Sequence, residues 1–144
     1  EGRYLDGFKK DIQDHDVTRM FTMIPRQPAE RIPEILAACD VAFLSFQDDE
    51  LWSKTIPAKL QSYMACGMPV IASARGETVR IIREAECGLC SEIGDAEGLA
   101  KNIRAMQEMP LLKVNDMRNN ARNYCEKCFE KKILMDEMEK YFIQ

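Results

Sequence analysis

Apolar residues along the chain alternate between two spacings. Leu5, Phe8 and Ile12 recur every three or four positions, the stripe of a surface helix over residues 4 to 14. Val17 to Ile24 then reads as a strand closed by Pro25. Pro33 suits the first turn of a second helix, where a missing N–H costs nothing. Ile32, Ile35, Leu36 and Cys39 form its buried face and Asp40 its end. The run Val41-Ala42-Phe43-Leu44-Ser45-Phe46 is apolar without alternation, as befits a strand covered by helices on both faces, and is expected at the centre of a sheet.

The same alternation continues. Pro57 opens a helix through Cys66, Gly67 is suited to a left-handed cap, and Pro69 to Ser73 forms the next strand. Residues 77 to 86 predict a helix with Val79 and Ile82 inward and Ile81 the next candidate for its core face. Gly88 to Ile93 is a short strand, and Asp95 caps a helix carrying Leu99, Ile103 and Met106. Beyond Pro110 the pattern is helical to the end, with Leu134, Met138, Tyr141 and Phe142 on one face. Four strands alternating with helices predict an α/β fold, a Rossmann-like doubly wound parallel sheet with a helical C-terminal tail. Such domains open with a strand and this chain opens with a helix, so its first strand is expected to be missing.

A length of 144 residues, 46% of them hydrophobic, suits one domain with its own core. The net charge of -4 arises from 24 acidic and 20 basic residues mixed along the chain, with no basic stripe, which argues against nucleic acid as a partner. No apolar run reaches about 18 residues, and Glu1-Gly2-Arg3 is not a secretory leader, so a soluble, cytoplasmic protein is expected. Six cysteines stand among nine methionines and long amphipathic helices, a composition of reduced thiols in an ordinary core.

Ligands of doubly wound sheets bind at the carboxyl ends of the strands. There the polar loop Gln47 to Ile56 leads to a helix start at Pro57-Ala58-Lys59. A helix N-terminus presents free N–H groups and partial positive charge, so a diphosphate can dock on it, and Lys59 adds a full charge where it otherwise opposes the dipole. The competing reading is a lysine that only reaches into solvent.

Residues 20 to 110 resemble the glycosyltransferase family 4 enzymes of the GT-B fold (glycosyl transferases group 1), particularly those of cell-surface polysaccharide synthesis. The resemblance is carried by Met23-Ile24-Pro25-Arg26-Gln27-Pro28, by Ile32-Pro33 through Asp40-Val41, by Thr55-Ile56-Pro57-Ala58-Lys59-Leu60 and by Met64 through Ser73. Gly76-Glu77 and Cys87-Gly88-Leu89 continue it in order. It implies the C-terminal, donor-binding half of a retaining, hexosyltransferase-type enzyme that moves sugar from a nucleotide diphosphate sugar to a polysaccharide or lipid-linked acceptor. Residues 1–126 would be a partial nucleotide-sugar domain, and 127–144 the crossover helix toward an absent N-terminal acceptor domain.

The resemblance also implies site residues. Lys59, Ala58 and Thr55 would meet the donor diphosphate; Pro25, Arg26, Lys54, Ser62, Gly76 and Glu77 would lie near the base or sugar. Many members carry two glutamates eight apart before the Ala-Cys-Gly. This chain has Lys54 and Ser62 there, neither a carboxylate, and Ser62 offers one hydroxyl. The family's basic pair after the first strand of this domain has no counterpart here, as expected of a chain that starts beyond that strand. No cofactor or metal is implied, the fragment alone would be inactive, and the parent would sit in the cytoplasm, peripherally at the inner face of the membrane.

Other signals point elsewhere. Cys87-Gly88-Leu89-Cys90 and Cys125-Glu126-Lys127-Cys128 are paired C-x-x-C motifs, but the first runs into a strand, where positions three apart face opposite ways, and the second lies on a helix. Structural thiols are the expected reading. His15, the only histidine, sits in a polar turn. Asp48-Asp49-Glu50 is compatible with a phospho-receiver domain, although the other acids and lysine of that pattern are missing. A third reading is a non-catalytic structural or interaction module whose Pro57 helix binds nothing.

Overall fold

The computed structural model describes residues 4–142, with Trp52 through its backbone alone. The chain divides after Glu34 into two compact units.

In the first unit, α1 (Leu5–Asp14) buries Ile12. The ring of Phe8 meets that of Phe21 edge to face, centroids 5.6 Å apart. The strand expected over Val17 to Ile24 does not form. Thr18–Met20 is a 3-10 turn instead, and Met20, Phe21, Met23 and Ile24 are exposed. An apolar run becomes a strand only beside a partner. Here the amides of Met20 and Phe21 close local turns on the carbonyls of Val17 and Thr18.

Helix α2 (Ile32–Ala37) follows a short 3-10 turn and spans the boundary between the units. It buries Leu36. Cys39, expected on its inner face, falls beyond the last turn and is exposed, its thiol donating to the Ile35 carbonyl at 3.4 Å.

The second unit is built on three parallel strands, β1 (Ala42–Ser45), β2 (Val70–Ser73) and β3 (Gly88–Ser91), in that spatial order. Ala42 pairs with Val70 and Val70 with Gly88, and at the far end Ser45, Ser73 and Ser91 align. The centre of the sheet is therefore β2, buried at all four positions, and not β1. Among the described residues β1 is an edge strand whose burial alternates: Leu44 is buried and Phe43 is 50% exposed.

Helices cover the sheet. Helix α3 (Glu50–Ser53) interrupts the expected loop, and α4 (Ala58–Ala65), α5 (Glu77–Glu84), α6 (Ala96–Gln107), α7 (Leu111–Cys128) and α8 (Lys131–Phe142) follow. On one face Leu60 and Met64 of α4, Ile81 and Ile82 of α5 and Ala121 of α7 pack on Leu44, Val70 and Ala72. Full burial of each large apolar side chain contributes about 1.5–3 kcal/mol. On the other face Ile71 meets Met106 of α6 and Met117 of α7.

Local signals set the helix ends. Gly67, at φ +62, ends α4 in the left-handed cap that the sequence predicts. Asp95 Oδ1 accepts from the Gly98 amide at 2.8 Å and starts α6. Ile103, expected to be buried, is 49% exposed and borders an open groove. Leu134, Met138, Tyr141 and Phe142 of α8 are all exposed. Among the described residues, no helix is long and apolar enough to cross a membrane.

Candidate functional site

In a right-handed β-helix-β unit the helix after a strand starts at that strand's carboxyl end, so α4 and α5 begin beside the ends of β1 and β2. The loop out of β1 is folded on itself. Asp49 Oδ1 accepts from the Leu51 amide at 2.8 Å and starts α3, Ser53 Oγ donates to the Glu50 carbonyl at 2.7 Å, and Lys54 Nζ pairs with Glu50 Oε1 at 2.6 Å.

Pro57 precedes α4 with φ -72 and ψ 137, extended values that aim its carbonyl into the first turn. That carbonyl accepts from Leu60 at 3.0 Å and from Gln61 at 3.4 Å. No side chain caps the helix, and among the described residues the amides of Ala58 and Lys59 have no partner. Both residues are exposed, and among the described residues Lys59 makes no ion pair. Two free N–H groups, the helix dipole and an unpaired ammonium thus share one turn, an arrangement that attracts an oxyanion.

The loop out of β2 faces this one. Arg75 Nη1 lies 2.7 Å from Asp48 Oδ1. Gly76, at φ +69, begins α5, and a Cβ built on it would stand 1.9 Å from the Ser53 carbonyl oxygen. Only glycine fits that approach. Glu77 is held by Arg80, whose Nη2 donates to Oε2 at 2.9 Å, and the same guanidinium bonds Glu84. The hydrogen bond from Arg80 keeps the Glu77 carboxyl below the usual range. A cavity of about 480 Å³ opens beside this loop, lined by Arg75, Gly76, Arg80, Arg83 and Glu92.

The remaining sequence candidates are distributed as follows. Lys54 is exposed and tied to Glu50. Thr55 is half-buried. Ser62 is exposed, one turn into α4, and its hydroxyl donates to the Ala58 carbonyl at 3.0 Å. Pro25 and Arg26 belong to the first unit, where the Pro25 carbonyl accepts from Gln27 Nε2 at 3.0 Å. Sequence reasoning missed Arg75. Its one mark in the sequence is its place, two positions past the end of β2.

Another cavity, about 550 Å³, lies elsewhere. It is an apolar groove beside Phe43, Ile71, Ile103 and Leu111, bordered by Asp40 and Arg118. The acids of Asp48-Asp49-Glu50 point to three different partners. All six cysteines are free, and among the described residues no three His, Cys, Asp or Glu side chains gather as a metal site. Burial, then proximity to Cys90, pushes the Cys87 thiol up to about 11, and burial raises Cys90 to about 11. His15 is exposed, its Nδ1 2.8 Å from the Asp11 carbonyl.

No curated protein matches the chain. The family model described as glycosyl transferases group 1 matches residues 1–124, from the N-terminal unit into α7, and so takes in the whole sheet and both facing loops. On that match and a parallel sheet wound by helices, the chain belongs to the glycosyl transferases group 1 family.

Proposed function

We propose that this chain is the donor-binding half of a retaining glycosyltransferase, which holds a nucleotide diphosphate sugar while a hexosyl group passes to a cell-surface polysaccharide or lipid-linked acceptor. The observation that carries this reading is the uncapped start of α4, where the amides of Ala58 and Lys59 and the Lys59 ammonium have no partner among the described residues.

A diphosphate leaving group gains charge as the glycosidic bond breaks. Donors already aimed at it stabilise that charge without reorganising. In this reading Lys59, Ala58 and Thr55 bind the diphosphate, and Lys54, Ser62, Gly76 and Glu77 lie toward the base or sugar. The ammonium and amides neutralise the leaving group without a metal. The acceptor is held by an N-terminal domain of the parent protein, so this chain binds donor without turnover. The parent works in the cytoplasm, at the inner face of the membrane.

Calorimetric titration with UDP, GDP, ADP and their common sugars tests the reading, alongside Lys59→Ala. The variant is expected to lose roughly 1–3 kcal/mol of affinity for the bound nucleotide, as for a charge-assisted bond, with its melting temperature nearly unchanged. Equal affinity in the two proteins refutes the role of Lys59. A folded chain that binds none of the nucleotides favours a non-catalytic structural module.

A further inference from the structure

The loop between β1 and α4 is fastened to the loop between β2 and α5 at two points. One is the ion pair of Arg75 with Asp48, at 2.7 Å. The other is the backbone contact of Gly76 under the Ser53 carbonyl. The neighbouring charges of the first loop are satisfied within it, Asp49 by the Leu51 amide and Glu50 by Lys54. Arg75 therefore reaches in from the second loop, and the segment it grips leads through α3 to Thr55 and the open turn of α4.

We propose that Arg75 is a positioning residue for the diphosphate site: through Asp48 it holds the loop that delivers Thr55 and the first turn of α4, without itself touching the ligand. The proposal rests on the donor-site reading above. The two side chains are 43% and 64% exposed, so the pair biases the loop by a modest factor and does not lock it.

The experiment uses the 144-residue chain as wild type, Arg75→Ala, Arg75→Lys and the swapped pair Arg75→Asp with Asp48→Arg. Each is titrated with UDP, GDP and ADP and with the matching nucleosides, and amide hydrogen exchange is followed over residues 48 to 59. Arg75→Ala is expected to weaken diphosphate binding roughly two- to fivefold, leave nucleoside binding unchanged and speed exchange across the loop. The swapped pair restores both, and Arg75→Lys keeps part of each. Unchanged exchange in Arg75→Ala overturns the proposal whatever the chain binds. A swap that restores exchange but not affinity makes Arg75 a direct ligand contact and overturns the positioning role. If exchange rises in a chain that binds none of the diphosphates, the donor-site reading fails, and Arg75 is left as a clamp on the loop alone.

Discussion

Asn120 on α7 donates from Nδ2 to the carbonyl of Glu86 at 3.4 Å, across 34 positions of sequence. The residue so held has φ +48, the left-handed region, where a side chain costs about 1 kcal/mol. Glu86 follows the last turn of α5 and its amide bonds to the Arg83 carbonyl at 3.1 Å, a place normally given to glycine. Glu86→Gly is expected to raise stability by roughly 0.5–1 kcal/mol in urea denaturation. A loss of stability would mean that the side chain contributes more than its backbone strain costs.

Gly88 faces the opposite constraint. A Cβ there would stand 1.9 Å from the Val70 carbonyl oxygen, inside the β2–β3 ladder. Gly88→Ala forces the two strands apart and is expected to lower stability by roughly 2–4 kcal/mol. The urea midpoint reads it directly, and an unchanged midpoint contradicts the contact.

The thiols provide a test in pH. Cys87 and Cys90 both titrate near 11, raised chiefly by burial, so their neutral forms stabilise the folded chain. That contribution is fully present below the ordinary thiol value near 9 and is lost as pH climbs through 11. The melting temperature is expected to fall between those values, and less steeply in Cys87→Ala. At pH near 8 a thiol reagent is expected to label the exposed Cys39 and Cys128 first, and Cys87 only on unfolding.

Arg122 separates stability from binding. Its Nη1 donates to the Ala65 carbonyl at 2.5 Å, at the carboxyl end of α4, where a cation also favours the helix dipole. Arg122→Ala is expected to lower the urea midpoint modestly and to leave nucleotide affinity in the folded chain unchanged. An affinity loss as large as that of Lys59→Ala would show that the two ends of α4 are coupled.

Features written into a residue's own backbone preferences were legible. Proline fixes its own φ and glycine admits positive φ, so Pro57 and Gly67 bracketed α4 from sequence, and Asp95 marked the start of α6. The buried β2 was legible because its run is short, apolar and bounded. Features that depend on a neighbour were not. Val17 to Ile24 has strand composition but makes turns, and Val41 to Phe46 looks central yet β1 lies at an edge, because composition does not record which side of a strand has a partner. At the candidate site, the start of α4 and Lys59 could be located from the chain. The grip of Arg75 on Asp48 joins two loops distant in sequence, and neither residue has local periodicity to reveal it.

The edge position of β1 among the described residues has a consequence for handling the protein. Val41 to Phe46 is six residues without charge or proline, rich in β-formers, with no strand beyond it among the described residues. Segments of this kind stack into cross-β aggregates when several copies align in register. Here Asp40 stands at one end, and Asp48, Asp49 and Glu50 follow shortly after the other. Stacking would bring these like charges together layer upon layer, so they act as gatekeepers. The acids that shape the loop at the carboxyl ends of the strands thus also protect the chain from its own edge.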